Sequence, residues 1–123
     1  MRIALTAALA ALVLSAGAAR AADANNAALT FSPGSCQDYL NLRWEQKPIT
    51  LFKGWLSGWI SAHDRLTPDT YALVVDDEQL VGPLKFMEAW CNANPLRDFV
   101  DGAGELVEEL YPRRQREAPK ETP

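Results

Sequence analysis

The sequence predicts an all-α fold: a small four-helix orthogonal bundle stapled by one disulfide. Three observations predict it. Apolar residues recur at spacings of three and four along most of the chain after residue 35. Pro and Asn/Asp/Ser residues punctuate these stretches at helix-entry positions. The chain holds two cysteines, Cys36 and Cys91, behind an N-terminal export signature.

That signature occupies the first part of the 123 residues. Met1-Arg2 is a short basic start, Ile3 to Ser15 is an apolar run, and Ala19-Arg20-Ala21 places small residues where a signal peptidase reads. Residues 1–21 are therefore expected to be a secretory signal peptide with Ala21 as the last residue removed. Cleavage leaves 102 residues, enough for one small domain. It also removes Arg2 and Arg20, so ten basic residues face sixteen acidic ones and the formal charge falls from −4 to −6. An acidic chain has no electrostatic footprint for nucleic acid. No later apolar run approaches the ~20 residues that span a bilayer.

Residues 22–34 are polar and unpatterned and are expected to form a flexible N-terminal arm. Pro33-Gly34 marks a turn, and Ser35 stands three residues before Asp38 as in a capping box. A helix over residues 36–43 follows. Pro48 marks the entry to a second helix, expected over 49–66, with Leu51, Phe52, Trp55, Leu56, Trp59 and Ile60 on an apolar stripe. Gly54 and Gly58 each cost about 1 kcal/mol against Ala in that helix, which suggests that another backbone packs closely there. Thr67-Pro68-Asp69 stops it. Tyr71 to Val75 reads either as an extended piece or as a helical turn.

Asp76-Asp77-Glu78 reads as a solvated corner, because it lacks the ligand spacing of a calcium loop. Pro83 is expected at the first position of a third helix that runs to about Asn92. Asn94-Pro95 repeats the cap-and-proline signal, so a fourth helix is expected from there to Leu110. Residues 112–123 are expected to be a disordered tail. The expected core is Tyr39, Leu40, Phe52, Leu56, Trp59, Ile60, Leu84, Met87, Trp90, Phe99, Leu106, Val107 and Leu110.

The cysteine pair reads as one disulfide in an oxidising compartment, two buried thiols being the alternative. A bridge across 55 residues contributes about 4 kcal/mol in the chain-entropy account. Enzyme chemistry has no foothold. His63 is the one histidine and lacks companions for zinc. His63-Asp64 point in different directions on a helix, and no nucleophile sits in a recognisable elbow. No catalytic residue, metal or cofactor is expected. Trp55 and Trp59, with Leu56, Ile60, Gly54 and Gly58, read as core packing and as a candidate client-binding or dimer interface.

The assembled pattern resembles the HdeA/HdeB family of periplasmic acid-stress chaperones. The likeness runs over residues 35–111. It begins at Ser35-Cys36-Gln37-Asp38-Tyr39 and continues through Pro48 to the Gly54-Trp55-x-x-Gly58 helix. Leu73-Val74-Val75-Asp76-Asp77 follows, then Pro83 leading to Cys91, and a last amphipathic helix. The resemblance implies a periplasmic protein with one structural disulfide, a homodimer at neutral pH, and unfolded periplasmic proteins as partners. It also implies that acid exposes apolar surface that holds clients soluble. The charges agree: with ordinary values of ~3.9 for Asp and ~4.3 for Glu, acid near pH 2 moves the chain from −6 to about +11. Arg113, Arg114, Arg116 and Lys120 stay charged there and would keep complexes soluble. The Gly-x-x-x-Gly helix, the second cysteine and the last helix also resemble the Tai-type periplasmic immunity proteins, which implies an alternative role as inhibitor of a specific toxin.

Overall fold

The structure is a computed structural model. It describes residues 24, 25 and 27–121; the expected signal peptide lies outside them. Among the described residues, four helices make the fold: α1 (Cys36–Leu42), α2 (Gln46–Leu66), α3 (Val81–Ala93) and α4 (Phe99–Leu110). A short 3₁₀ turn, Tyr111–Arg113, follows α4.

Helix α1 begins as a reciprocal capping box. Asp38 N donates to Ser35 Oγ and Ser35 N donates to Asp38 Oδ2, each at 3.0 Å. Gly34 precedes it with φ 154°, and a Cβ there would lie 3.0 Å from Asp38 Oδ2, so the cap is built around a glycine. Helix α2 starts three residues earlier than the sequence suggests. Pro48 sits at its third position, still inside the first turn, where an N–H has no helical acceptor to lose.

Between α2 and α3 the chain is not helical. Leu73 N donates to Asp64 Oδ1 at 2.8 Å, and Ala72 forms an isolated antiparallel bridge with Gln115. The Tyr71–Val75 segment is thus the extended alternative. Asp77 is no idle corner residue: its carboxylate accepts from Val81 N at 2.8 Å and Gly82 N at 2.9 Å. This covers the amides at the start of α3, whose capping residue Leu80 is left-handed (φ 54°) and has a side chain that cannot cap. Helix α3 therefore begins two residues before Pro83.

The fourth helix begins at Phe99, not at Asn94-Pro95. Asn94 closes α3 instead, its Nδ2 donating to Trp90 O at 2.9 Å. Asp98 is the cap of α4 and accepts from Val100 N at 3.0 Å. The cause is a long-range pairing. Cys36 N donates to Arg97 O (2.9 Å) and Phe99 N to Gly34 O (3.1 Å), so residues 94–98 must stay extended enough to meet the entry of α1. The tail also departs from expectation: the chain stays on the body past Pro112 through Gln115 and Arg116.

The expected disulfide is present. Cys36 and Cys91 are bonded, with Cα atoms 4.9 Å apart, and join α1 to α3. Around it Tyr39, Phe52 and Phe99 meet in a three-ring cluster with centroids 5.0–5.2 Å apart. Leu56, Met87, Ala103 and Leu106 complete the interior. At Gly102 a Cβ would meet Trp90 Cε3 at 2.5 Å, so α4 lies on α3 at glycine-only distance. Every expected core residue is buried or packed against the core, and Leu73, Leu80, Ala103 and the cystine join them.

Candidate functional site

The six residues singled out on α2 fall on three different faces of the helix. Leu56 (0% exposed) and Ile60 (4% exposed) point into the core. Trp55 and Trp59 lie on the flank, half-buried and stacked on each other at 5.2 Å with planes 18° apart. Gly54 and Gly58 are exposed, and a Cβ at either would have nothing within 4 Å. Among the described residues, no backbone packs at either glycine as the sequence suggested.

The stacked tryptophans are pinned by both indole N–H groups. Trp59 Nε1 donates to Ala103 O of α4 at 3.1 Å. Trp55 Nε1 donates to Phe31 O at 2.7 Å, which fastens the end of the N-terminal arm. Ser32 Oγ adds a contact to the Asp98 carboxylate. The arm is thus tied at residues 31–32, while the Leu29 and Phe31 side chains remain exposed. Trp55 also meets Phe99 edge-on at 5.8 Å, so the flank is continuous with the core.

His63 ends this aromatic ladder, its ring 4.8 Å from that of Trp59. Burial pushes its pKa below the ordinary 6.5, and neighbouring Asp64 offsets that in part. A cleft of about 650 Å³ opens beside it, between Trp59, His63 and the Asp101–Glu108 side of α4. Among the described residues no group of three or more His, Cys, Asp or Glu side chains could hold a metal ion. No helix among them is long and apolar enough to cross a membrane.

Two apolar surfaces lie away from the expected site. Trp44, 78% exposed, rims a cleft of about 260 Å³ with Ile49, Val81 and Leu84. A second cleft, of about 410 Å³, lies between Leu73–Val75, the start of α3 and the end of α4. Periodicity has no means of finding either, because each forms where a loop crosses helix ends. The exposed Trp44, in the short α1–α2 joint, was the one sequence signal for the first.

The carboxylates show a clearer order. Asp64, Asp69 and Asp77 all hold the non-helical stretch between α2 and α3, each through a different partner. The two amide bonds keep the Asp77 carboxyl below its ordinary 3.8, Gly82 contributing most and Val81 next.

Comparison with known proteins gives one match: the model of the HdeA/HdeB family fits residues 3–101. No curated protein and no solved structure matches the chain.

Proposed function

The chain belongs to the HdeA/HdeB family, and on that premise we propose that it is a periplasmic acid-stress chaperone which exposes apolar surface at low pH and holds unfolding clients soluble. It reaches the periplasm through a signal peptide cleaved after Ala21, and it pairs as a homodimer at neutral pH. The family match over residues 3–101 carries this reading. It argues for a protein that works by binding rather than by bond-making.

The structure supports the proposal through where its carboxylates sit. Three carboxylates, Asp64, Asp69 and Asp77, carry the side-chain bonds that hold residues 67–80, and strong acid removes the charge on which carboxylate bonds depend. Leu73 and Leu80, both buried, are anchored in that stretch. Loosening it uncovers Leu73, Leu80 and the α2 face at Ile60, while the cystine keeps α1 and α3 joined. The same acid turns the chain strongly cationic, which opposes compaction and keeps client complexes apart.

Light scattering tests this directly. An unrelated client brought near pH 2 should stay clear when this protein is present in slight excess and turn turbid without it. Equal turbidity in both samples ends the chaperone reading. Sedimentation at neutral pH and near pH 2 checks the dimer and its dissociation.

A further inference from the structure

The C-terminal segment that sequence patterning assigns to disorder is fastened to residues 69–72. Gln115 N donates to Ala72 O at 2.8 Å, and Gln115 O accepts from Tyr71 N (2.8 Å) and Ala72 N (3.1 Å). Asp69 supplies the latch. Its carboxylate takes Arg116 Nη1 and lies 3.6 Å from Arg114 Nη2, and its backbone carbonyl accepts from Arg114 Nε at 3.1 Å. The Arg114 side chain is only 6% exposed, and its guanidinium lies 3.9 Å from the Tyr111 ring centroid. Residues 111–117 also lie beyond the stretch that the family model covers.

Ala72 meets this segment as one isolated antiparallel bridge, and beside it opens the cleft of about 410 Å³ lined by Leu73, Val74, Phe86 and Leu106. Arg113, paired at 3.8 Å with Glu109, stands on its rim. An extended backbone seated on an exposed edge next to an apolar cleft is how proteins take up unfolded segments by strand addition. Here the occupant is the protein's own tail.

We propose that residues 111–117 form an acid-released strap, which at neutral pH fills in cis the edge that an extended apolar segment of a client takes in acid. This rests on the client-holding reading above. The groups facing the Asp69 carboxylate are the Arg114 and Arg116 guanidiniums, and Tyr111 bears on it only through Arg114. A proton on Asp69 removes the one carboxylate these two cations share. Arg114 is then a buried charge without a counter-charge, which is a costly state. The rising positive charge of the whole chain repels the arginine-bearing strap as well. Once it leaves, Tyr71 N, Ala72 N and Ala72 O are free to pair with another backbone.

Two variants test the strap. Asp69→Asn imitates the protonated latch at neutral pH, and asparagine accepts the left-handed backbone found there (φ 54°). Trypsin should cut this variant after Arg114 and Arg116 about tenfold faster than the parent, while cutting after Lys85 inside α3 stays unchanged. Cutting at the parental rate overturns the strap. In the second arm, Ala72→Cys with Gln115→Cys staples the bridge. The oxidised double variant should lose most client holding near pH 2, whereas each single variant keeps it. Holding by the stapled protein equal to that of the parent overturns the proposal. A parent that holds no client defeats the chaperone reading instead, and the trypsin comparison then still decides the strap.

Discussion

The two ends of the molecule are held by different forces. Around Cys36–Cys91, cohesion comes from a covalent bond, a cluster of three rings and the tight contact at Gly102. None of these is a carboxylate bond, and the one ionisable group among them, the Tyr39 phenol, is pushed above its ordinary 10.0 by burial. Residues 67–80 are held by Asp64 on the Leu73 amide, Asp77 on two α3 amides and Asp69 on two arginines. A carboxylate bond is strong only while the group is charged. Carboxylates also cap α1 (Asp38) and α4 (Asp98) at the cystine end, but there the covalent bond and the packed rings do not depend on them. The position of an acidic residue matters more than the number of them.

Replacing both Cys36 and Cys91 by Ser is the hardest test of the cystine end. It should cost about 4 kcal/mol of stability, read from denaturant unfolding, at neutral pH. A much smaller loss would mean that the rings alone hold that end. Gly102→Ala strikes the same end through packing, since its methyl would overlap Trp90 and Met87. A destabilisation of about 1–3 kcal/mol is expected, similar above and below the carboxylate range. Gly54→Ala and Gly58→Ala bear on neither end and carry the opposite sign. Each should stabilise the isolated chain by about 1 kcal/mol, because helix propensity rises and no neighbour is met. If a second copy packs on that face, the same changes should weaken the dimer in sedimentation.

Asp77→Asn gives the smallest effect and the sharpest contrast. The folded protein holds this carboxyl below its ordinary 3.8, so its contribution is full above that value and lost as pH falls through the lowered one. The variant should therefore melt below the parent at neutral pH, and the two melting temperatures should converge in strong acid. His63 adds a step at milder pH by the same sign. Its lowered pKa makes stability fall as pH drops below 6.5, and His63→Gln should flatten that part of the curve.

The sequence made the helices legible where local signals were also the structural causes. The Ser35/Asp38 box and the stop at Thr67 appear as read, as does the stripe from Phe52 to Ile60, while Leu51, expected on that stripe, is exposed. Two of the failures share a cause: a distant partner decided. Asn94-Pro95 has the local form of a helix start, yet Arg97 and Phe99 are claimed by the backbone at Cys36 and Gly34. Arg114 and Arg116 look like a solvated run until Asp69, some 45 residues away, is seen to collect them. Asp77 looks like one of three surface charges, and only the left-handed Leu80 brings the α3 amides to it. Of the expected site, the stacking of Trp55 on Trp59 follows from their spacing. The outward turn of both glycines was hidden, because the stripe does not reveal which helical flank its neighbours leave bare.

The bond between Cys36 and Cys91 makes a hoop of the intervening chain, and both α2 and the proton-sensitive stretch lie on it. Anything that loosens on this hoop therefore remains tethered at both ends, and it has only a short and bounded search before it seats again.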